Sequence, residues 1–111
     1  MKNKEAEKVK AEAAINAEIK AKYKAVKRIV NIDEKGDEHV LYLREPSRLA
    51  VGVSLAKIES NVTEACEIIF NDAAIQEVSD IEYFQQNHVF YGLIYELQTL
   101  VRVKKSTSMT L

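Results

Sequence analysis

The stretch Leu41–Arg48, which reads Leu-Tyr-Leu-Arg-Glu-Pro-Ser-Arg, decides the fold class of this chain. Its first half is apolar and rich in residues that favour strands. Pro46 lacks an amide hydrogen, which is tolerated in the first turn of a helix because that turn does not use it. We therefore predict a strand that leads directly into a helix running from about Pro46 to Ser60.

A second extended segment lies upstream of this strand. Apolar and polar residues alternate between Val26 and Ile32, and an acidic turn containing Gly36 separates them from the strand that begins at His39. Glycine readily adopts the positive φ that a short hairpin loop usually requires. The pattern predicts a β-hairpin, and because two strands alone are marginally stable, its apolar face should lie against the helices that follow.

The N-terminal segment predicts a long helix. Alanine, lysine and glutamate dominate residues 3–24, which contain neither proline nor glycine. The apolar residues of this helix form one narrow stripe: Ala11, Ile15, Ile19, Tyr23 and Val26. A helix with so thin a stripe gains little from the core of its own domain. We expect it to dock on a partner, to pair with a copy of itself, or to fray over its first two turns.

Two more helices are predicted after the one that begins near Pro46. Asn61–Glu64 fits a capping box that opens the first of them, and Ser79–Glu82 fits another that opens a last helix reaching about Lys104. The helix from Pro46 carries apolar residues on more than one face, which predicts that it is the central and most buried helix, with Gly52 at a close crossing.

The predicted fold class is therefore α+β, in the order α-β-β-α-α-α, with three helices packed on the hairpin. We expect residues 1–24 to form a helical extension, residues 25–105 a single domain and residues 106–111 a flexible tail.

Charge is unevenly distributed along the chain. Residues 1–28 hold nine Lys/Arg against four Asp/Glu, residues 29–98 hold four against thirteen, and residues 99–111 add three basic residues. Basic ends of this kind supply sequence-independent contacts to nucleic acid. We favour instead a solvated helix whose lysines suit the acidic body of the same chain or of a neighbouring copy, because glutamates interrupt the basic run and arginine is scarce in it.

The composition indicates an intracellular protein. No apolar run approaches the roughly 20 residues that a membrane helix needs, and the lysine- and glutamate-rich start is unlike a secretory signal. The single cysteine, Cys66, cannot form an internal disulfide, which is typical of a reducing compartment.

The residues provide no catalytic set. Cys66 falls on the apolar stripe of its helix and is expected in the core. His39 and His88 lack the spacing of metal ligands and are expected to lie on a strand and on a helix surface. The acidic turn lacks the ordered alternation of a calcium loop and is expected to be solvated. We therefore predict no catalytic, metal-binding or cofactor-binding residue, and no enzymatic activity.

The residues expected to contact a partner lie on the first helix and at the strand–helix junction. They are Ile15, Ile19, Tyr23, Tyr42, Arg44 and Arg48. Tyrosine suits interfaces because its ring is apolar and its hydroxyl is polar. The two arginines are expected either to contact an anionic partner or to pair within the junction.

Two motifs stand in a fixed order along the chain. Tyr42–Arg48 reads Tyr-Leu-basic-x-Pro-x-Arg after a hairpin, and Ala65–Ile69 reads Ala-x-Glu-aliphatic-aliphatic on a later helix. In this arrangement, residues 26–72 resemble a group of short proteins encoded by phages and prophages of gut bacteria. Some members of that group are similar to tail-assembly chaperones, which bind other virion proteins during assembly and carry no active site.

The resemblance implies a non-enzymatic, phage-derived protein that binds proteins during virion or tail assembly, as a chaperone or a minor structural component. Its partners would be other virion proteins or copies of itself, in the host cytoplasm during assembly or in the virion. The alternative is a small nucleic-acid-binding protein whose basic first helix contacts phosphates.

Overall fold

The computed structural model describes the backbone of residues 2–101 and 108–110 and the side chains of residues 13–101 and 108–110. Within these ranges the chain is mixed α+β, as predicted, with five α-helices and a two-stranded antiparallel sheet. The elements are α1 (Lys2–Tyr23), β1 (Ala25–Ile32), β2 (Glu38–Arg44), α2 (Arg48–Lys57), α3 (Val62–Ala73), a 3-10 turn (Gln76–Val78), α4 (Ile81–Phe84) and α5 (Asn87–Thr99).

No helix in the described part of the chain combines the length and apolar character of a membrane span.

The predicted hairpin is confirmed. β1 and β2 pair antiparallel, with Ile29 opposite Leu41, and the turn between them contains Gly36 at a φ of 88°. The Asp33 carboxylate closes this turn, because its Oδ1 accepts hydrogen bonds from the backbone amides of Lys35 (2.9 Å) and Asp37 (3.0 Å).

The core lies between one face of the hairpin and the helices α3, α4 and α5. Leu41 and Leu43 of β2 are fully buried, as are Phe84 of α4 and Leu97 of α5. The expectation that Cys66 lies in the core on an apolar stripe of its helix is confirmed, because α3 buries Ala65, Cys66, Ile69, Phe70 and Ala73. The apolar face of the hairpin therefore meets the later helices, as two isolated strands would require.

The prediction that α2 is the central and most buried helix is wrong. Of its residues only Ala50 and Ser54 are buried, because the helix lies on the outside of α3 and contacts it with one face. A Cβ atom placed on Gly52 would meet no atom within 4 Å, so no close crossing occurs there.

The predicted single last helix is also wrong. It is divided into α4 and α5, with a break at Gln85 and Gln86 in the polar gap of the sequence. Ser79 does not cap α4. Its hydroxyl instead accepts a hydrogen bond from the Tyr42 amide (2.8 Å), because this segment runs along the outer edge of β2.

Several predictions fall outside the described ranges. These concern the side chain of Ala11, the lysines at 104 and 105, and most of the segment 106–111. Residues 108–110 have no regular secondary structure.

Candidate functional site

The outer face of α2 carries a contiguous apolar stripe. Leu49 is 78% exposed and Val53, one turn later, is 39% exposed. Gly52 and Ala56 lie between and beyond them, and Arg48 and Lys57 lie at the two ends of the same shallow surface. We call this surface the α2 stripe: Arg48, Leu49, Gly52, Val53, Ala56 and Lys57.

The opposite face of α2 holds the helix on the domain. The Ser54 hydroxyl, 1% exposed, donates a hydrogen bond to the Ala65 carbonyl of α3 (3.1 Å). Because α2 is apolar around most of its circumference and only one face is covered, its remaining apolar residues are exposed to solvent. The α2 stripe is the result.

The start of α2 is fixed by Asp72 at the end of α3. The Asp72 carboxylate accepts hydrogen bonds from the Ser47 amide (2.7 Å) and the Ser47 hydroxyl (3.1 Å), and that hydroxyl in turn caps the helix by accepting from the Ala50 amide (3.2 Å). The guanidinium of Arg44 donates to the Asp72 carbonyl at 3.1 and 2.9 Å. Arg44, predicted as a contact residue, is therefore paired within the junction.

Of the other predicted contact residues, Tyr42 is not on the surface. Its side chain is 6% exposed, and its hydroxyl donates to Asn16 of α1 (2.9 Å) and accepts from Arg28 (3.1 Å). Tyr42 thus attaches α1 to the sheet, and its prediction as a partner contact does not fit this burial.

The predicted residues on α1 differ in exposure. Ile15 is 51% exposed, whereas Ile19 and Tyr23 are half-buried. Arg48 is exposed and belongs to the α2 stripe. The structure thus places Arg48 beside Leu49 and Val53, which sequence reasoning had assigned to the core.

A second site, which is polar, surrounds His39 and was not predicted. Its Nε2 lies 2.8 Å from Asp33 Oδ2, its Nδ1 contacts Asp80 Oδ2, and its ring stacks on Tyr83 with centroids 3.6 Å apart. The Tyr83 hydroxyl donates to Asn31 Oδ1 (2.5 Å). We call these residues the His39 cluster.

The His39 cluster joins three segments: the hairpin turn, β2 and the start of α4. Asn31 and His39 are opposite each other in the strand register, on the face that meets the helices. A nearby open groove of about 560 Å³ is lined by Asn31, Asp33, Tyr83, Gly92 and other residues of the hairpin turn and α5.

Electrostatics make the stability contribution of this cluster depend on pH. Hydrogen bonding to Asp80 and to Asp33 raises the pKa of His39 above its usual 6.5, and the His39 hydrogen bond lowers the pKa of Asp33 below its usual 3.8. The His39 contribution is complete below pH 6.5 and is lost as pH rises through the raised pKa; the Asp33 contribution is complete above pH 3.8 and is lost as pH falls through the lowered pKa. Both contributions are present between these two pH values.

The chemistry of the His39 cluster is that of a structural ion pair. Each imidazole nitrogen faces a carboxylate, and the doubly protonated ring, which donates to both, has no lone pair for a substrate proton or a metal ion. Among the described side chains, no group of three or more His, Cys, Asp or Glu is arranged to hold a metal ion. Cys66 is 3% exposed, and burial raises the pKa of its thiol, which disfavours the reactive thiolate.

Comparisons with protein-family models, curated proteins and solved structures give no significant match to this chain.

Proposed function

We propose that this chain is a non-enzymatic protein that works by binding another protein through the α2 stripe. The observation that carries the proposal is the exposure of Leu49 and Val53 on one helix face. Removing one such side chain from water is worth about 1.5–3 kcal/mol when it is fully buried. A pair of neighbouring apolar side chains can therefore anchor a partner.

The shape and charge of the stripe favour an amphipathic helix with one acidic end as the partner segment. Gly52 and Ala56 keep the middle of the stripe low, so that another helix can approach closely. Arg48 places positive charge at one end, where a carboxylate of the partner would lie at the rim, whereas Lys57 at the other end is paired with Glu64 (3.0 Å). Apolar anchors spaced by four residues, as Leu49 and Val53 are, match the repeat of a helical ligand.

The biological setting of the proposal comes from the resemblance of residues 26–72 to short phage-encoded proteins. In that setting the partner is another virion protein or a further copy of this chain. The role is then that of an assembly chaperone or minor structural component, in the host cytoplasm or in the virion.

The chemistry of the most polar sites supports contact rather than catalysis. The imidazole ring of His39 lies between two carboxylates, and the Cys66 thiol is buried in the core. Neither side chain is placed to attack or deprotonate a substrate.

The test is pairwise co-purification of the full chain with each protein encoded beside it in its genome. Leu49→Glu should abolish a stable complex that the unchanged chain forms, whereas Leu55→Glu should leave it intact. Leu55 is the matched control because it is 39% exposed on the same helix but outside the stripe. If no neighbouring product binds, or both variants bind equally well, the proposal is wrong.

Nucleic acid is the alternative partner. Lys20, Lys22 and Lys24 are exposed where α1 meets β1, within the part of the basic segment whose side chains the structure describes. Binding to a random-sequence duplex that weakens steeply with salt, and that is lost when these three lysines are replaced by glutamine, would favour the alternative. An apolar contact through the α2 stripe would depend much less on salt.

A further inference from the structure

One edge of the sheet is covered and the other is open. At the outer edge of β2, the Tyr42 carbonyl accepts from the Ile75 amide (3.0 Å), and the Val40 carbonyl accepts from the Asp80 amide (2.9 Å). Successive residues of a strand direct their backbone groups to opposite edges. The even-numbered residues of β2 therefore point away from β1, and the odd-numbered residues point toward it.

The strand register defines which residues of β1 face outward. Ile29 pairs with Leu41, and across this part of the hairpin odd-numbered residues lie opposite odd-numbered ones. Because the odd-numbered residues of β2 point toward β1, their odd-numbered partners in β1 point back toward β2. The even-numbered residues Arg28, Val30 and Ile32 therefore direct their amides and carbonyls to the open edge. Within the described part of the chain, no backbone hydrogen bond from another segment reaches these three residues.

The open edge is also apolar. Val30 is 40% exposed and Ile32 is 63% exposed, on the sheet face opposite the core. A strand that combines unpaired backbone groups with β-branched side chains is a template for pairing with another strand. Adding a strand would also stabilise this two-stranded sheet, because sheets of three or more strands are more stable.

We propose that this edge binds a second copy of the chain, giving a continuous four-stranded antiparallel sheet in a symmetric dimer. The two-fold axis passes beside Val30, so that Val30 lies opposite the same residue of the second copy. Arg28 then lies opposite Ile32 of the second copy, and the reverse pair follows from symmetry.

Charge complementarity identifies the occupant as a second copy in antiparallel orientation. Two charged residues at the ends of β1 are paired within the chain, Lys27 with Glu96 (2.6 Å) and Asp33 with His39 (2.8 Å). The exposed Arg28 near the start of β1 and the exposed Glu34 after its end remain to contact a second copy. Antiparallel pairing places the basic start of each strand beside the acidic end of the other, on both sides of the axis. Parallel pairing would instead bring like charges together.

A bulge explains why the axis lies at Val30. The register shifts between Ala25 and Lys27, which leaves Val26 as the extra residue. A bulge locally disrupts the ladder, so regular pairing is limited to the segment beyond it. The three outward residues of that segment are centred on Val30. This interface lies on the hairpin and does not rest on the proposed role of the α2 stripe.

The test is the solution mass of the full chain by light scattering over a concentration series. We expect a dimer, with twice the 12.6 kDa mass of one chain. Val30→Lys should raise the dissociation constant by at least about tenfold, because it places two ammonium groups opposite each other at the axis. Leu55→Lys is the matched control, since Leu55 is 39% exposed but lies on α2.

A charge swap makes the register itself testable. Val30→Glu alone should also be monomeric, and an equal mixture of the Val30→Lys and Val30→Glu chains should recover the dimer, since opposite charges then meet at the axis. The proposal is overturned if the unchanged chain is monomeric at every concentration, if Val30→Lys leaves the dimer as tight as Leu55→Lys does, or if the mixture does not re-associate.

Discussion

The attachment of α1 to the sheet should depend on the hydroxyl of Tyr42. The variant Tyr42→Phe, which lacks this hydroxyl, tests the dependence. In Tyr42→Phe the ring remains in its buried position, but the hydrogen bond to Asn16 Oδ1 (2.9 Å) is lost. The Arg28 guanidinium, which donates to the same hydroxyl, lies on an exposed residue and can bond to water instead. The main effect is thus on the contact between α1 and the hairpin.

The expected magnitude follows from the worth of one neutral hydrogen bond. A part-buried bond of this kind stabilises by about 1 kcal/mol, which corresponds to about a fivefold change in the ratio of docked to undocked α1. The core residues Leu41 and Leu43 lie on the other face of the sheet and keep their contacts. We therefore expect a local effect, with the unfolding free energy of the rest of the domain almost unchanged.

Limited trypsin digestion under native conditions measures this local opening. Lys20 and Lys22 lie exposed in the last turn of α1, and cleavage there requires the helix to open. Cleavage should be about fivefold faster in Tyr42→Phe. Tyr91→Phe is the control, because Tyr91 is 61% exposed and should leave the rate unchanged.

A double-mutant cycle with Asn16→Ala decides whether the hydrogen bond is the cause. Each single variant should accelerate cleavage, and the double variant should be little faster than either, because both remove the same bond. If the effects of the two changes on the free energy of opening simply add, the bond between Tyr42 and Asn16 does not hold α1, and the reasoning is refuted.

Three further predictions concern stability. The free energy of unfolding in urea should differ most between the unchanged chain and His39→Gln near pH 5, where the His39 imidazolium and the Asp33 carboxylate are both charged. The difference should shrink at pH 9, and an equal difference at both pH values would contradict the ion pair. Phe84→Ala should lower the unfolding free energy by about 3–5 kcal/mol because Phe84 is fully buried, whereas Tyr91→Ala should change it by less than about 0.5 kcal/mol. Gly52→Ala should raise the melting temperature, because alanine at this open helical position stabilises the helix by about 0.5–1 kcal/mol. Gly36→Ala should lower the melting temperature, because a φ of 88° strains any residue with a side chain. The opposite order of melting temperatures would contradict the helical position of Gly52 and the positive φ of Gly36.

Local sequence signals predicted the hairpin and the buried stripe of α3. The alternation before Gly36 and the asparagine at 61 act within a few residues, and the Asn61 side chain accepts from the Glu64 amide (3.0 Å) as a helix cap should. These features do not depend on how the rest of the chain packs, so the sequence alone was sufficient to predict them.

The burial of α2 was mispredicted because an apolar circumference does not show which side meets the core. Leu49 and Ala50 are neighbouring apolar residues, yet Leu49, the more hydrophobic of the two, is 78% exposed and Ala50 is 8% exposed. The deciding contact is Ser54 with Ala65, which sets the inner face of α2 against α3. A polar residue in an otherwise apolar helix was the available signal for that inner face, since buried hydroxyls require a partner.

The His39 cluster was missed for a different reason, namely sequence distance. Asp33 and His39 are near each other across the hairpin turn, and the register of two antiparallel strands already brings them together. Asp80 is 41 residues from His39 and arrives only when the segment before α4 runs along β2. In the same arrangement the Ser79 hydroxyl accepts a hydrogen bond from the Tyr42 amide of β2. It is therefore not available to cap α4, and the expected capping box does not form.

β1 carries apolar residues on both of its faces. Ile29 packs against the core, whereas Val30 and Ile32 lie on the opposite face, where they are 40% and 63% exposed although α1 docks on that face through Tyr42. Strand residues that remain exposed on such a face are commonly polar. Exposed β-branched residues beside an unpaired backbone edge favour aggregation unless the edge has a defined partner. The chain therefore has a physical reason to keep this edge paired, and self-association through Val30 would satisfy it while leaving the α2 stripe free for a different protein.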